Sequence, residues 1–382
     1  MDFKKLLALI CHNKASELFI TAGRPPCMNI DGELTDVSET VLNKEQAFKI
    51  VESIMTQAQR QTFERTKDCQ FVIDYPDLGR FRVSAFTQRG AAGMVLHPVE
   101  HNIPDVEALN LPPILKSLIM EKSGLIIFVG EAGSGKSTSL AALIKHRNQH
   151  SRGHILTIED PIKFQHSHLG CMVTQREVGI DTESYEVALK NAAYQAPTVI
   201  FIGEIKNRET MQNALMFAKK GCLCLATLHE QNVIWGINRI LHFFPVEMRE
   251  QLLKDLASNI KGVVAQKLIK SENTQKRYPA VEILLNTPLA QSYIYEGEIF
   301  KLKDVMTKSE ELGMQTLDGA LFHLYQAHKI SWNDALRSYI YSGSELALRM
   351  RMASAPKSID SKSYFHLVDD EEDDHGIQRT LE

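Results

Sequence analysis

The segment Gly130–Ser137 constrains the fold most, because two glycines, a lysine and a serine follow the spacing Gly-x-x-x-x-Gly-Lys-Ser. The apolar run Leu125–Val129 precedes it, and the helix-compatible run Ser137–Ile144 follows it. A strand, a glycine-rich turn and a helix in this order form a phosphate-binding P-loop, since the glycines let successive backbone N–H groups face an anion. The segment therefore predicts an α/β fold with a site for a nucleoside triphosphate.

Two side chains of this loop have predicted roles in binding ATP with Mg²⁺. The Lys136 ammonium is expected to neutralise the β- and γ-phosphates, and the Ser137 hydroxyl to bind the metal. The predicted nucleotide-binding residues are Gly130, Glu131, Ala132, Gly133, Ser134, Gly135, Lys136, Ser137 and Thr138. A P-loop alone does not separate a kinase, a helicase and a motor.

From Leu115 onward, apolar runs alternate with helix-compatible segments. Strands are expected at 125–129, 154–158, 199–203 and 222–228. Continuous apolar strands between helices are typical of a parallel sheet that is covered on both faces. Beyond Pro245 the pattern is mostly helical, with helices expected near 247–262, 315–328, 331–341 and 344–352 and one strand at 280–285. The pattern predicts a doubly wound α/β core with a helical C-terminal part.

The first hundred residues indicate a separate α/β region. A helix is expected at 3–12 and another helical segment at 43–65, with strands at 17–20, 28–30, 71–75 and 79–86. The proline-bearing stretch that follows predicts an ordered connector. The expected domains are residues 1–98 and 114–352, joined by a linker at 99–113.

The last segment, 353–382, contains the acidic run Asp369–Asp374. A block of like charge predicts a disordered tail, with an interaction tail as the alternative. The net charge of -4 gives no electrostatic case for a nucleic-acid partner, and none is expected. The apolar runs are too short to span a bilayer and the N-terminus lacks a signal-peptide pattern, so a cytoplasmic location is expected.

Polar side chains follow three of the predicted strands. One strand runs into Glu159 and Asp160, the next is followed by Glu204, and a third ends at His229. Ligands of open α/β sheets bind at the carboxyl ends of the strands. The carboxylates are therefore expected to hold the water shell of Mg²⁺ or to polarise an attacking water, and His229 to sense the γ-phosphate. The structural alternatives are helix caps for the acidic residues and a structural role for the histidine.

Together these motifs resemble the secretion or traffic ATPase superfamily and, within it, the type IV pilus retraction ATPases of the PilT/PilU family. The resemblance covers nearly the whole chain, and the segments that carry it are 16–26, 79–86, 158–162, 174–179, 203–204 and 226–229. The stretch 173–184 and the acidic tail are more similar to the PilU branch. The chain has no Cys-x-x-Cys pair, unlike many pilus assembly ATPases.

The resemblance implies an N-terminal PAS-like α+β domain followed by a RecA-like P-loop ATPase domain, assembled as a hexameric ring. The catalytic residues that it implies are Glu159, Glu204, His229 and Arg176, with Ser137 and Glu204 as metal ligands. Arg80, Arg82 and Arg176 are expected to reach a neighbouring subunit's nucleotide, because arginine stabilises the charge that develops in phosphoryl transfer. A surface salt bridge is the alternative for each arginine.

The function implied by the resemblance is an ATP-hydrolysing ring motor that drives pilus retraction and twitching motility. Its expected partners are a PilT-like ATPase and a pilus platform protein, and its expected place is the cytoplasmic side of the inner membrane at the pilus base. A DNA-processing ATPase is a weaker alternative because the chain lacks a basic-aromatic patch.

Several residues depart from the family's pattern. Tyr194 and Thr198 stand where charged residues are usual, Lys206 and Asn207 replace an Arg-Asp pair, and Cys222 replaces a histidine. Lysine lacks the planar fork of arginine, and a thiol does not protonate near neutral pH as imidazole does. These departures motivate an alternative function, a nucleotide-binding structural partner with weak or no turnover of its own.

Overall fold

The computed structural model describes residues 3–30, 32–274 and 276–354, and its strands lie in two sheets. The predicted acidic tail therefore lies, from residue 355 onward, outside the described residues. No helix in the described ranges is long and apolar enough to cross a membrane.

The first sheet is antiparallel, with the strand order β3-β2-β1-β6-β5-β4. Its strands are β1 (Glu17–Ile20), β2 (Cys27–Ile30), β3 (Glu33–Asp36), β4 (Asp68–Tyr75), β5 (Gly79–Gln88) and β6 (Ala91–Pro98). Its helices are α1 (Phe3–Asn13), α2 (Lys44–Ser53) and α3 (Gln57–Thr66). Along β5, Phe81, Val83 and Ala85 are buried at every second position, as a strand with one solvated face requires.

The predicted elements of this region are confirmed, with two strands added. The segment expected to be helical at 43–65 is two helices, because Thr56 starts the second one with a capping box to Gln59. Strands β3 and β6 were not predicted. The PAS-like character of this region stays a prediction.

The second sheet has the order β13-β12-β7-β11-β10-β8-β9 and is parallel except for β13. Its strands are β7 (Gly124–Val129), β8 (Gly153–Glu159), β9 (Cys171–Glu177), β10 (Val199–Ile202), β11 (Leu223–Leu228), β12 (Ile260–Lys270) and β13 (Arg277–Leu285). Its first helices are α4 (Ile114–Ile119), α5 (Lys136–His150), α6 (Tyr185–Ala192), α7 (Arg208–Lys219), α8 (Val233–His242) and α9 (Val246–Asn259).

The C-terminal part is helical, as predicted. Its helices are α10 (Pro288–Glu296), α11 (Leu302–Lys308), α12 (Leu317–Gln326), α13 (Trp332–Leu336) and α14 (Gly343–Ser354), with short 3-10 turns at Ile299–Lys301 and Glu310–Leu312. Helices α12, α13 and α14 pack together in a cluster that also takes Ile269 of β12 and Ala280 of β13.

Apolar side chains of the second sheet fill a core on each face. Leu125, Ile127 and Val129 of β7 join one core, and Ile126 and Phe128 join the other. This arrangement confirms the predicted α/β core, because a strand buried on both faces needs no polar alternation.

Two strands of this sheet were missed. The helix expected at 247–262 ends at Asn259, and the eleven-residue strand β12 begins at once and pairs with β7. Strand β9 was also not predicted. The expectation of a mostly helical chain directly beyond Pro245 was therefore wrong at β12.

The stretch between the two sheets is ordered along its length. Val99, Ile103, Val106 and Leu111 are buried, and Val106 and Leu111 pack into a core of the second sheet. The backbone N–H of Glu100 donates to the Lys163 carbonyl, which ties this stretch to the connector between β8 and β9. The division into domains at residues 98 and 114 stays a prediction.

Candidate nucleotide site

The glycine-rich loop lies at the carboxyl end of β7 and leads directly into α5, so the predicted strand–loop–helix order is confirmed. Gly135 precedes the helix in the left-handed conformation, at φ 86°. A Cβ there would approach Gln266 Nε2 to 2.7 Å. Glycine is needed at this position because both the backbone conformation and the space exclude a larger residue.

Lys136 is held inside the loop. Its Nζ donates to the carbonyl oxygens of Gly130 and, at 2.8 Å, Glu131, and it lies 3.5 Å from Ser134 Oγ. Burial, with a smaller effect of the nearby Lys163, lowers the Lys136 pKa to about 8. An anion in the loop would favour the charged form, so this ammonium is prepared for phosphate.

Gln266 of β12 makes hydrogen bonds to the loop and to α5. Its Nε2 donates to the Ser134 carbonyl at 2.9 Å, and its Oε1 accepts from Ser139 Oγ at 2.8 Å. The side chain is buried, so both bonds exclude water. Sequence reasoning missed this residue because β12 itself was not predicted.

A cavity of about 790 Å³ opens in front of the loop, within the usual range for small-ligand sites. The predicted site residues that line it are Ala132, Gly133, Ser134, Gly135, Lys136, Ser137, Thr138, Arg82, Glu159, Glu204 and His229. The other two predicted loop residues do not line this cavity. The Gly130 carbonyl accepts a hydrogen bond from Lys136, and Glu131 lines a smaller neighbouring cavity. The loop and three separate strand ends therefore meet at one place.

Glu159 is the most perturbed acid of this cavity. Burial raises its pKa to about 7, although hydrogen bonds from Thr157 Oγ1 (2.7 Å) and Gln175 Nε2 (3.2 Å) favour the charged form. A carboxyl group that titrates near neutral pH exchanges protons readily, as a general base requires. Gln175, on the unpredicted β9, is a second functional residue that sequence reasoning missed.

Glu204 follows β10 and has two basic neighbours. His229 Nε2 lies 3.5 Å from one carboxylate oxygen, and Lys206 Nζ lies 3.7 Å from the other. Lys206 also donates to Asp160 at 3.1 Å. These contacts join the ends of β8, β10 and β11 at the cavity.

The oxygen atoms at the cavity suit Mg²⁺. Ser137 supplies a hydroxyl at the start of α5, and Glu159 and Glu204 supply carboxylates on the same cavity wall. Magnesium prefers such hard oxygen donors and commonly binds through one or two of them together with substrate phosphates. The residues present therefore fit the predicted metal.

The three predicted arginines lie in different surroundings. Arg82 Nε is 3.1 Å from Glu177 Oε1 of the same chain, and Arg80 Nη1 is 3.9 Å from Asp74. Arg176 Nη2 donates to the Asp181 carbonyl at 3.0 Å. In the described part of the chain, Arg82 lines the large cavity, whereas Arg80 and Arg176 do not. Their predicted contacts with a neighbouring subunit stay predictions.

Most departures from the family's pattern lie away from the cavity. Thr198 Oγ1 accepts from the His154 backbone N–H at 3.1 Å before β10 begins, and Cys222 Sγ donates to the Pro197 carbonyl before β11 begins. These are the amino ends of parallel strands, at the opposite edge of the sheet from the P-loop. Asn207 caps α7, and Tyr194 is exposed. Only Lys206, of the five, contacts acidic groups of the site.

A profile of the family described as "Type II/IV secretion system protein" matches residues 2–312. The chain belongs to this family. It is 50% identical to the type IV pilus ATPase PilU of Pseudomonas aeruginosa over 93% of the chain and 92% of that protein. It is 35% identical to the type IV pilus retraction ATPase PilT of the same organism over 88% of the chain and 97% of that protein.

A solved structure of another family member shows the same fold. The pilus retraction motor PilT with bound ADP superposes with a TM-score of 0.83 at 33% identity, covering 89% of this chain and 98% of that one. The resemblance drawn from the motifs, including the greater similarity to PilU, is therefore confirmed.

Proposed function

We propose that this protein is an ATP-hydrolysing motor that drives type IV pilus retraction in the manner of PilU. The observation that supports it best is the meeting of a complete P-loop with Glu159, Glu204 and His229 at one cavity. The similarity to PilU and PilT over most of the chain agrees with this chemistry.

In this proposal, each side chain acts from the place where it now lies. The loop N–H groups and Lys136 bind the phosphates, and Glu159 takes a proton from the attacking water. His229, beside Glu204, contacts the terminal phosphate and so distinguishes ATP from ADP. Magnesium held by Ser137 and Glu204 would neutralise phosphate charge during the reaction.

The proposal extends to assembly and place. The protein forms a hexameric ring. The candidates for contact with a neighbouring subunit's nucleotide are Arg80, Arg82 and Arg176. It works with a PilT-like ATPase on a pilus platform protein, at the cytoplasmic side of the inner membrane. Delivery of an arginine between subunits would couple hydrolysis to movement of the ring.

The test is ATP turnover by the purified protein and its Glu204→Gln variant, each with and without a PilT-like ATPase that carries its own inactivating P-loop substitution. We expect turnover in the wild type and a loss of about a hundredfold or more in Glu204→Gln. Glu209→Gln, on an exposed residue of α7, is the matched control and retains turnover. Absence of turnover under both conditions contradicts the proposal.

Pilus retraction in cells tests the biological half of the proposal. A Lys136→Ala variant is expected to reduce twitching to the level of a strain without the protein. Full twitching with Lys136→Ala would instead favour a structural partner of the retraction machine. That alternative has lost part of its basis, because Thr198 and Cys222 lie at the opposite edge of the sheet from the P-loop.

A further inference from the structure

A second lysine reaches the phosphate loop from outside it. Lys163 lies on the connector between β8 and β9, and its Nζ is 3.4 Å from Ser137 Oγ, to which it donates. Both residues line the 790 Å³ cavity together with Lys136. The Lys163 ammonium therefore lies at the oxygen to which the P-loop pattern assigns Mg²⁺.

Lys163 makes no salt bridge within the described part of the chain. Asp160 pairs instead with Lys206, and the Lys163 charge acts on Glu159 only from beyond ion-pair distance, where it favours the charged carboxylate. In the loop, the Lys163 charge acts on Lys136 and disfavours its charged form. Two ammonium groups that face one anion cradle repel each other until an anion lies between them.

The backbone at Lys163 is fixed although its side chain is exposed. The Glu100 N–H donates to the Lys163 carbonyl at 3.0 Å, and the Gln165 N–H donates to the Glu100 carbonyl at 2.9 Å. These two bonds hold the connector at the edge of the cavity. Only side-chain rotation is then needed to move the ammonium from the hydroxyl to a phosphate, so the ordering cost of binding is small.

We propose that Lys163 is a further phosphate-binding residue. Its ammonium group donates a hydrogen bond to the Ser137 hydroxyl when metal is absent, and it turns to the terminal phosphate of a bound nucleotide. This inference rests on the proposed nucleotide site. A magnesium ion takes its ligand oxygen at about 2.1 Å, so it excludes an ammonium from the same side of Ser137. Lys163 and the metal therefore compete for one oxygen, while both neutralise the same phosphates.

The competition makes the contribution of Lys163 largest without metal. We expect Lys163→Gln to weaken binding of a fluorescent ADP analogue about tenfold in EDTA, the loss of one charged phosphate contact. In saturating Mg²⁺ the loss falls to about threefold or less, because the metal then neutralises the phosphates. Lys163→Arg keeps the charge and is expected to bind within about threefold of the wild type in both conditions.

The measurement is fluorescence titration of wild type, Lys163→Gln, Lys163→Arg and Lys122→Gln, each with EDTA and with Mg²⁺. Lys122 is an exposed lysine before β7 and serves as the control for loss of one positive charge. Melting temperatures measured without nucleotide show that each variant is folded.

Two results would overturn the inference. One is binding by Lys163→Gln equal to that of Lys122→Gln in EDTA. The other is an equal loss with and without Mg²⁺, since Lys163 and the metal would then not share Ser137. If the wild type itself binds no nucleotide, the proposed function fails, and that outcome is distinct from both.

Discussion

At the scale of single residues, the Glu159 carboxyl shows how burial and hydrogen bonding oppose each other. Burial raises its pKa to about 7, and the Thr157 and Gln175 donors limit that rise. Below this pH the group carries a proton and does not accept one from water. Above it, the carboxylate is charged and can accept a proton, as the role proposed for Glu159 requires.

We predict that kcat/KM for ATP rises with pH through an apparent pKa near 7, because the deprotonated Glu159 is the active form. Thr157→Val removes a hydrogen bond to the Glu159 carboxylate. The loss raises the Glu159 pKa, so the rising limb of the pH profile of kcat/KM moves to higher pH. Initial rates measured across pH 5.5 to about 9 check both statements. Thr307→Val, on the exposed side of α11, is the control. A limb that does not move in Thr157→Val would show that Glu159 is not the titrating group.

Gly133 and Gly135 give a matched pair of substitutions in the loop. Both glycines have positive φ, but a Cβ on Gly135 meets Gln266 at 2.7 Å, whereas a Cβ on Gly133 meets no atom within 4 Å. We expect Gly133→Ala to lower the free energy of unfolding by about 1 kcal/mol from backbone strain alone, and Gly135→Ala by about 2 to 4 kcal/mol. Denaturant unfolding without nucleotide measures both. Equal losses would contradict the structure of the loop.

Sequence alone identified residues that meet at the cavity where the signal is local; their roles stay predictions. Lys136 and Ser137 follow a fixed spacing, and Glu159 and Glu204 lie at the ends of apolar strands. Gln266 could not be found in this way, because its contacts with Ser134 and Ser139 cross 132 and 127 positions of the chain. Residues brought to a site by sheet pairing carry no short-range pattern, and Gln175 on β9 belongs to the same class.

At the scale of elements, a buried carboxyl on β13 joins three parts of the chain. Glu282 accepts from the Val233 N–H at the start of α8, at 2.8 Å, and from the Tyr341 hydroxyl before α14, at 2.6 Å. Asp318 on α12 accepts the backbone N–H groups of three successive residues, 340 to 342. These bonds attach the C-terminal helices to the sheet and to the helix that follows His229.

Glu282 makes stability depend on pH. Burial raises its pKa to about 7 from the ordinary value of 4.5, so the folded state binds the proton more tightly than the unfolded state. Stability from this group is fully present below pH 4.5 and is lost as pH rises through about 7. Glu282→Gln keeps the size and removes the titration, because the Tyr341 hydroxyl can turn to accept from the amide.

We therefore predict that Glu282→Gln removes a slope of up to about 1.4 kcal/mol per pH unit between these limits. Denaturant unfolding of wild type and variant at several pH values measures the difference. Glu298→Gln, on an exposed residue after α10, leaves the slope unchanged. Parallel pH curves for wild type and Glu282→Gln would contradict the prediction.

Prediction at the element scale failed where two interpretations of an apolar run compete. The predicted helix over 247–262 overlaps the start of β12. The apolar pattern of Ile260, Val263 and Val264 suits either a helix or a strand. Only pairing with β7 decides that these residues are a strand. Strands β7, β8, β10 and β11 were predicted, because glycines or polar side chains mark their ends.

At the scale of the whole molecule, the two sheets meet at an ion pair. Arg82 comes from β5 of the first sheet, and Glu177, whose carboxyl is 1% exposed, comes from β9 of the second. The Ile162 N–H also donates to Glu177. A carboxylate that is buried between sheets requires this compensation, because an unpaired buried charge is costly.

We expect Arg82→Met to lower the free energy of unfolding by about 2 kcal/mol, less than for a fully buried pair because the Arg82 side chain is 22% exposed. The double variant Arg82→Met/Glu177→Gln recovers most of this loss, since no uncompensated charge remains. Denaturant unfolding of the wild type, both single variants and the double variant gives the coupling energy. Additive losses would show that the two side chains do not interact.

The cavity wall has a mechanical consequence because both sheets supply it. Arg82 and His97 come from the first sheet, and the P-loop and His229 come from the second. A ligand that contacts both sheets resists their separation, and the free energy of this effect is part of the ligand's binding free energy. By reciprocity, a force that pulls the sheets apart weakens binding by the same free energy that binding contributes against the force. For a nucleotide that contacts both sheets, binding and separation of the sheets are therefore coupled equilibria.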